Sequence, residues 1–183
     1  MDELSLYILD ITMNSVRAGA SDIRISLEEK DGWLTFRVTD NGCGMTEEQV
    51  KKLSDPFFTT RKTRKVGLGI PFLKMLAEMT GGSVRVVSVP ESAGENHGTT
   101  TEAVFNTQHI DFIPLGNIIE TVQTLIQGAP DVNFTFDHST QNGAVHLSCE
   151  ELRAVLGDDI SLSEPEILAW IGAELAEQYE ALQ

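Results

Sequence analysis

Apolar residues recur every three or four positions near the start of the chain. Leu4, Ile8 and Ile11, with Ser15 continuing the row, predict a helix over residues 3–18, and Gly19 stands where a C-terminal cap would fall. The period then shortens to two. Ile23, Ile25 and Leu27 alternate with Arg24, Ser26 and Glu28; beyond Asp31-Gly32, Leu34, Phe36 and Val38 alternate with Thr35, Arg37 and Thr39. Two alternating runs around an Asp-Gly pair predict a β-hairpin. Thr46 with Gln49 has the form of a capping box opening a short helix to about Leu53. Residues 54–67 lack a period and read as a loop. Leu68, Phe72, Leu76 and Met79 mark a helix that stops at Gly81-Gly82, and strands are expected at about 83–89 and 99–106.

This order implies an α+β fold, a two-layer sandwich with helices on one face of a mostly antiparallel sheet. The remainder of the chain repeats the mixture on a smaller scale. Ile118, Ile119, Val122, Leu125 and Ile126 suit a helix; Val132, Phe134 and Phe136 alternate as a strand, with 144–147 as hairpin partner across Asn142-Gly143. Two more helices are expected, capped by Ser148 with Glu151 and by Ser163 with Glu166. The last carries Ile167, Ile171, Leu175 and Tyr179 on one stripe.

Charge divides the chain where the pattern does. Residues 1–107 hold 12 Lys and Arg against 15 Asp and Glu; residues 108–183 hold Arg153 alone against 13 acidic residues. The expected organisation is therefore a domain over 1–107 and a small acidic α/β appendage over 108–183. A net charge of −15 argues against a nucleic-acid partner. No apolar run approaches the roughly 18 residues that span a bilayer, and the acidic Met1-Asp2-Glu3 start lacks a basic signal-peptide region, so no membrane partner and a cytoplasmic location are expected. Cys43 and Cys149 show neither a disulfide framework nor metal-ligand spacing.

Four segments carry candidate chemistry. Asp10 and Asn14, four apart, share one helix face, where they can hold a hydrated divalent cation and orient a nucleophile; a solvated polar stripe is the plainer alternative. Asp40-Asn41-Gly42-Cys43-Gly44 follows a strand, and Asp40 there can accept from an exocyclic amine, although a Gly-rich turn has the same spelling. Asp55-Pro56-Phe57-Phe58-Thr59-Thr60 precedes Arg61, Lys62, Arg64 and Lys65, a basic cluster suited to an anion or to a solvated loop. Gly67-Leu68-Gly69 opens a helix, whose N-terminus suits phosphate. His97, His109, His138 and His146 fall in strands or loops. Asp137-His138-Ser139 alternates across a strand and so does not form a triad.

These segments, in this order, resemble the GHKL superfamily of ATPases shared by histidine kinases, type II topoisomerases, mismatch-repair ATPases and a heat-shock chaperone. Residues 8–15 match its N box, and the continuation Arg17-Ala18-Gly19-Ala20-Ser21 is similar to the mismatch-repair version. Residues 40–45 match the first glycine box, 55–60 the F box of histidine kinases, 67–70 the second glycine box, and Gly98-Thr99-Thr100 the closing element. The resemblance spans about residues 4–106 and implies the Bergerat-type fold with ATP and Mg²⁺ as ligands. By it, Asn14 coordinates Mg²⁺, Asp40 binds the adenine amine with Thr99 or Thr100 joining through water, and Gly42 and Gly44 shape the base pocket. Residues 55–66 become a lid carrying Phe58, Thr59, Lys62 and Arg64, and Gly67, Leu68 and Gly69 contact phosphate.

Two departures matter. The mismatch-repair and topoisomerase branches place a glutamate base where Asp10 stands, so this carboxylate sits about 1.5 Å back. Kinases also carry more glycine than Thr63-Arg64-Lys65-Val66 supplies. The chain starts at the N box, so no phosphoacceptor-histidine hairpin is expected before it. The resemblance implies phosphotransfer to a protein or to water with Asp10 assisting. The rival is a non-catalytic ATP-sensing module whose acidic tail engages a protein partner or a second copy.

Overall fold

The structure, a computed structural model, describes residues 3–53 and 69–183. A helix α1 (Leu4–Arg17) leads into the hairpin β1 (Asp22–Lys30) and β2 (Trp33–Asp40). Asp31 and Gly32 at its tip both take positive φ, 53° and 81°, the backbone that a tight two-residue connection requires. The short α2 (Glu47–Lys52) starts at a complete capping box between Thr46 and Gln49. Further on lie α3 (Gly69–Met79), β3 (Ser83–Val89), a single 3₁₀ turn, and β4 (Gly98–Asn106). The acidic part supplies α4 (Ile118–Gly128), β5 (Asn133–Thr140), β6 (Gly143–Ser148), α5 (Cys149–Leu156) and α6 (Pro165–Glu180).

All six strands form one sheet in the order β3-β4-β2-β1-β5-β6. Every pair is antiparallel except β1 with β5, which run parallel from Asp22 beside Asn133 to Glu28 beside Ser139. The expected two-layer α+β sandwich is present, and the sheet runs uninterrupted across the charge boundary near residue 107. Alternation decides the layers: Ile23, Ile25, Leu27, Phe36, Phe105 and Phe136 point to the helix-covered face and are all but fully buried. The acidic part is also tied to α1. The first free amides of that helix, on Leu4 and Ser5, donate to the carbonyls of Pro114 and Leu115 at 2.9 and 2.8 Å, and Thr121 Oγ1 donates to the Ser5 carbonyl at 3.1 Å.

One cap differs from expectation. Ser148 caps α5 through the Glu151 amide, but α6 begins at Pro165 rather than after Ser163. Glu164 rather than Ser163 holds the cap position, Pro165 takes the first helical position that its fixed φ suits, and Ser163 turns to Ser161 instead.

The other sheet face is uncovered and polar, as one face of an antiparallel sheet can be. On it, His146 Nδ1 lies 2.6 Å from Asp137 Oδ1 and Nε2 lies 3.4 Å from Glu151 Oε2. The hydrogen bond to Asp137 above all, helped by Glu151, raises the His146 pKa above its ordinary 6.5. The charged imidazolium is then the form that favours the fold. Its contribution is complete below pH 6.5 and disappears as pH rises through the raised value. The melting-temperature gap between wild type and His146→Gln should therefore close as pH is raised from below 6.5 through the raised His146 value; a gap independent of pH would sink the pairing.

Candidate nucleotide-binding site

The α1 row that buries Leu4, Ile8 and Ile11 ends on Ser15, and this departure from an apolar residue has a local reason. Ser15 Oγ, 5% exposed, donates to Asp40 Oδ2 at 2.5 Å. Asp40 closes β2 on the helix-covered face, the parity of Leu34, Phe36 and Val38. Its other oxygen, Oδ1, accepts from the amides of Gly42 at 2.9 Å and Thr99 at 3.2 Å. Thr99 faces Asp40 directly in the β2–β4 register. Three donors from three segments thus fix the carboxylate, leaving Oδ2 with acceptor capacity beyond the Ser15 hydroxyl.

The loop after Asp40 is pinned on every side. Asn41 Oδ1 accepts from the amides of Ser21 and Asp22 at 2.9 and 3.0 Å, holding the start of β1. The Cys43 amide donates to the Ala18 carbonyl just beyond α1, and the Met45 amide donates to Ser88 Oγ on β3 at 2.8 Å. Ser88 also lies 2.7 Å from Thr99 Oγ1, and His97 donates from Nδ1 to the Gly42 carbonyl. Gly44 takes φ 69°, and a Cβ there would land on the Val89 carbonyl, so this position admits glycine. None of these anchors except Asp40 itself, Thr99 and the glycines was legible as a site residue. Ser15 alone carried a signal, as the one hydroxyl on an otherwise apolar row.

Asn14, Ser15, Asp40, Gly44, Leu53 and Thr99 share the walls of a cavity of 180 Å³, with Thr101 on its floor. Of the threonine pair, Thr99 faces this cavity. Thr100 alternates to the uncovered sheet face, where its hydroxyl donates to Thr39 Oγ1 at 3.3 Å. Gly42 is buried against Ala18. Asn14 Oδ1 accepts from Arg17 Nη1 at 3.1 Å.

Asp10 lies one turn earlier on α1 and meets the first turn of α3: a Cβ on Gly69 would collide with Asp10 Oδ2. Burial pushes the Asp10 carboxyl above its ordinary 3.8, while Arg17 pulls in the opposite direction. The structure therefore joins Asp10, Asn14, Asp40, Gly42, Gly44, Gly69 and Thr99 along the seam between α1, the β2 end and α3. Phe58, Thr59, Lys62, Arg64, Gly67 and Leu68 lie outside the described residues. Among the described residues no group of three or more His, Cys, Asp or Glu is placed to hold a metal ion. A carboxamide such as Asn14 suits a Mg²⁺ ion whose other ligands are phosphate oxygens and water.

A helical layer on a mixed sheet thus carries an anchored carboxylate at a strand end beside a helix-borne carboxamide. Residues 2–109 match the family described as histidine kinase-, DNA gyrase B-, and HSP90-like ATPase, and the chain belongs to that family. Signal transduction histidine-protein kinase AtoS of Escherichia coli (strain K12) is 33% identical over 90 residues, covering 48% of this chain and 15% of that protein. Sensor histidine kinase ZraS of Salmonella typhimurium is 31% identical over 91 residues, 48% of this chain and 19% of that protein. The chain thus spans less than a fifth of either relative. In fold it is similar to the Aquifex aeolicus MutL ATPase domain complexed with ADP, with a TM-score of 0.58 and 15% identity, over 85% of this chain and 69% of that one. Among the described residues no helix is long and apolar enough to cross a membrane.

Proposed function

We propose that this chain binds ATP with Mg²⁺ and passes the γ-phosphate to a partner protein or to water in a regulatory role in the cytoplasm. The observation that carries this reading is the Asp40 carboxylate, held by Ser15, Gly42 and Thr99 at the wall of a cavity that Asn14 shares. Asp40 Oδ2 accepts from the adenine amine, and Oδ1, occupied by two backbone amides, keeps the carboxylate from turning. Asn14 would hold Mg²⁺, which neutralises phosphate charge and orients the chain of phosphates. By this reading the first-turn amides of α3, which starts at Gly69, take the phosphates. The lid roles of Phe58, Thr59, Lys62 and Arg64, and the contacts of Gly67 and Leu68, belong to the same reading.

Asp10 takes the position of a general base. A carboxyl raised above its ordinary value by burial accepts a proton more readily than a solvated one. A base must be ionised to act, so turnover should fall as pH drops through the raised Asp10 value and should be flat above it. The acidic surface of residues 108–183 is the proposed contact for the protein partner or a second copy.

ATP turnover with Mg²⁺, measured alone and with a candidate acceptor protein, tests this. Asp10→Asn should lower turnover about 100-fold or more while leaving ATP affinity within about threefold, since general-base removal acts on the chemical step. Asn14→Ala should lose Mg²⁺-dependent affinity. Wild type that binds ATP yet neither hydrolyses it nor labels an acceptor would instead establish the non-catalytic, ATP-sensing reading. Asp10, one methylene shorter than the family's glutamate, is the residue on which that alternative rests.

A further inference from the structure

The parallel pairing of β1 with β5 has a consequence at the end of the sheet remote from Asp40. It sets two hairpin tips side by side, Asp31-Gly32 between β1 and β2 and Gln141-Asn142 between β5 and β6. Between them opens a cleft of 1010 Å³, against 180 Å³ beside Asp40. Glu28, Glu29 and Asp31 line it against one cation, Lys30, and Trp33, 40% exposed, forms an aromatic wall. Alternation sends Glu28 to the uncovered face and Glu29 to the helix-covered face, so the carboxylates reach the cleft from both sides of the strand.

An acidic rim alone is a solvated surface. What distinguishes this one is the buried apparatus behind Glu29. His138, 3% exposed, lies on the helix-covered face of β5 with Nδ1 2.7 Å from Tyr179 Oη of α6. Its Nε2 is buried without a hydrogen-bond partner and is aimed at Glu29 Oε1, 3.6 Å away. Burial pushes the Tyr179 phenol far above its ordinary range, so the hydroxyl keeps its proton. The Glu29 carboxylate facing Nε2 favours the tautomer that carries its proton there, and the Tyr179 hydroxyl then donates to Nδ1. Burial also lowers the His138 pKa below 6.5 against the opposing pull of Glu29, so the ring is neutral at neutral pH. Glu29 is thereby oriented by a dipole and left without a compensating charge from beneath.

We propose that this cleft is a second ligand site, taking a small organic cation whose ammonium or guanidinium group sits on Glu29, Glu28 and Asp31 with its carbon frame against Trp33. The volume lies at the upper end of the range for small-molecule sites, and a cation beside an indole face with carboxylates at its edge satisfies both kinds of contact at once. This site shares no residue with the Asp40 cavity and does not rest on the nucleotide reading.

The chain holds two tryptophans, Trp33 and Trp170, so Trp170→Phe leaves Trp33 as the sole indole reporter. The full chain with that change is titrated with spermidine and, separately, with agmatine, at constant ionic strength. A saturable change in Trp33 emission with a midpoint below about 1 mM is expected for at least one probe. Glu29→Gln should weaken it at least tenfold. Tyr179→Phe, which keeps the ring packing and removes the hydroxyl bonded to His138 Nδ1, should weaken it about threefold; melting curves confirm that both variants are folded. No saturable signal from either probe, the same midpoint in Glu29→Gln, or the same signal from MgCl₂ at matched ionic strength would each overturn the proposal.

Discussion

A chain ending at residue 107 will fail to fold, although it keeps every segment that matches the family. The cut removes β5, which pairs with β1 along seven residues, and leaves β1 as an exposed central strand edge. It also strips α4 from the side of α1 and deletes the carbonyls of Pro114 and Leu115 that satisfy the first α1 amides. The buried side chains lost include Ile118, Val122, Leu125, Ile126, Phe134, Phe136, Ile171 and Leu175. Burying each such side chain is worth about 1.5–3 kcal/mol, and the apolar side chains of α1 and β1 that they cover would be left facing water. A milder version is Phe136→Ala: Phe136 is 1% exposed under the helices, and its truncation should cost about 3–5 kcal/mol, read as a shift in urea midpoint at unchanged slope. A soluble 1–107 fragment with a cooperative melt would show the acidic part to be separable after all.

The local elements were legible because their signals are local. Asp31-Gly32 names its own turn, Thr46 and Gln49 name their own cap, and the two-residue period of Ile23, Ile25 and Leu27 names a strand with one buried face. The joining of β5 to β1 was not legible. Phe134 and Phe136 announce a strand, but nothing within ten residues says that its neighbour begins more than a hundred positions earlier, or that the pair is parallel. Charge and packing report different things here: the acidic residues of 108–183 report what faces solvent, while the buried residues of the same segment belong to one core with those of 1–107.

The site divides along the same line. Asp40, Gly42, Gly44 and Thr99 were found because the ordered motifs carry them. Asn41, Ser88 and His97 were missed because their work is to hold backbone amides and carbonyls of other segments, and polar residues in loops have many plainer uses. Thr99 and Thr100 were inseparable in sequence; strand register separates them by sending adjacent side chains to opposite faces.

Asp40→Asn should reduce ATP affinity by about 10- to 150-fold, the equivalent of one hydrogen bond to a charged group at about 1.5–3 kcal/mol. The carboxamide keeps the size of the carboxylate, and its oxygen can remain under the Gly42 and Thr99 amides, so the loop and the melting temperature should be retained. The nitrogen then replaces Oδ2. It can still meet Ser15, since a hydroxyl accepts as well as donates, but toward the base it presents N–H where the adenine amine also presents N–H. Guanine carries a carbonyl at that position, which the new carboxamide can satisfy. The variant should therefore lose ATP and move its ATP-to-GTP preference toward GTP, measured by competition against a fluorescent nucleotide. A general loosening of the cavity would weaken both nucleotides alike, so the change in ratio separates the amine contact from damage to the loop. Undiminished ATP affinity with an unchanged ratio would remove Asp40 from the base and leave the loop anchored for some other purpose.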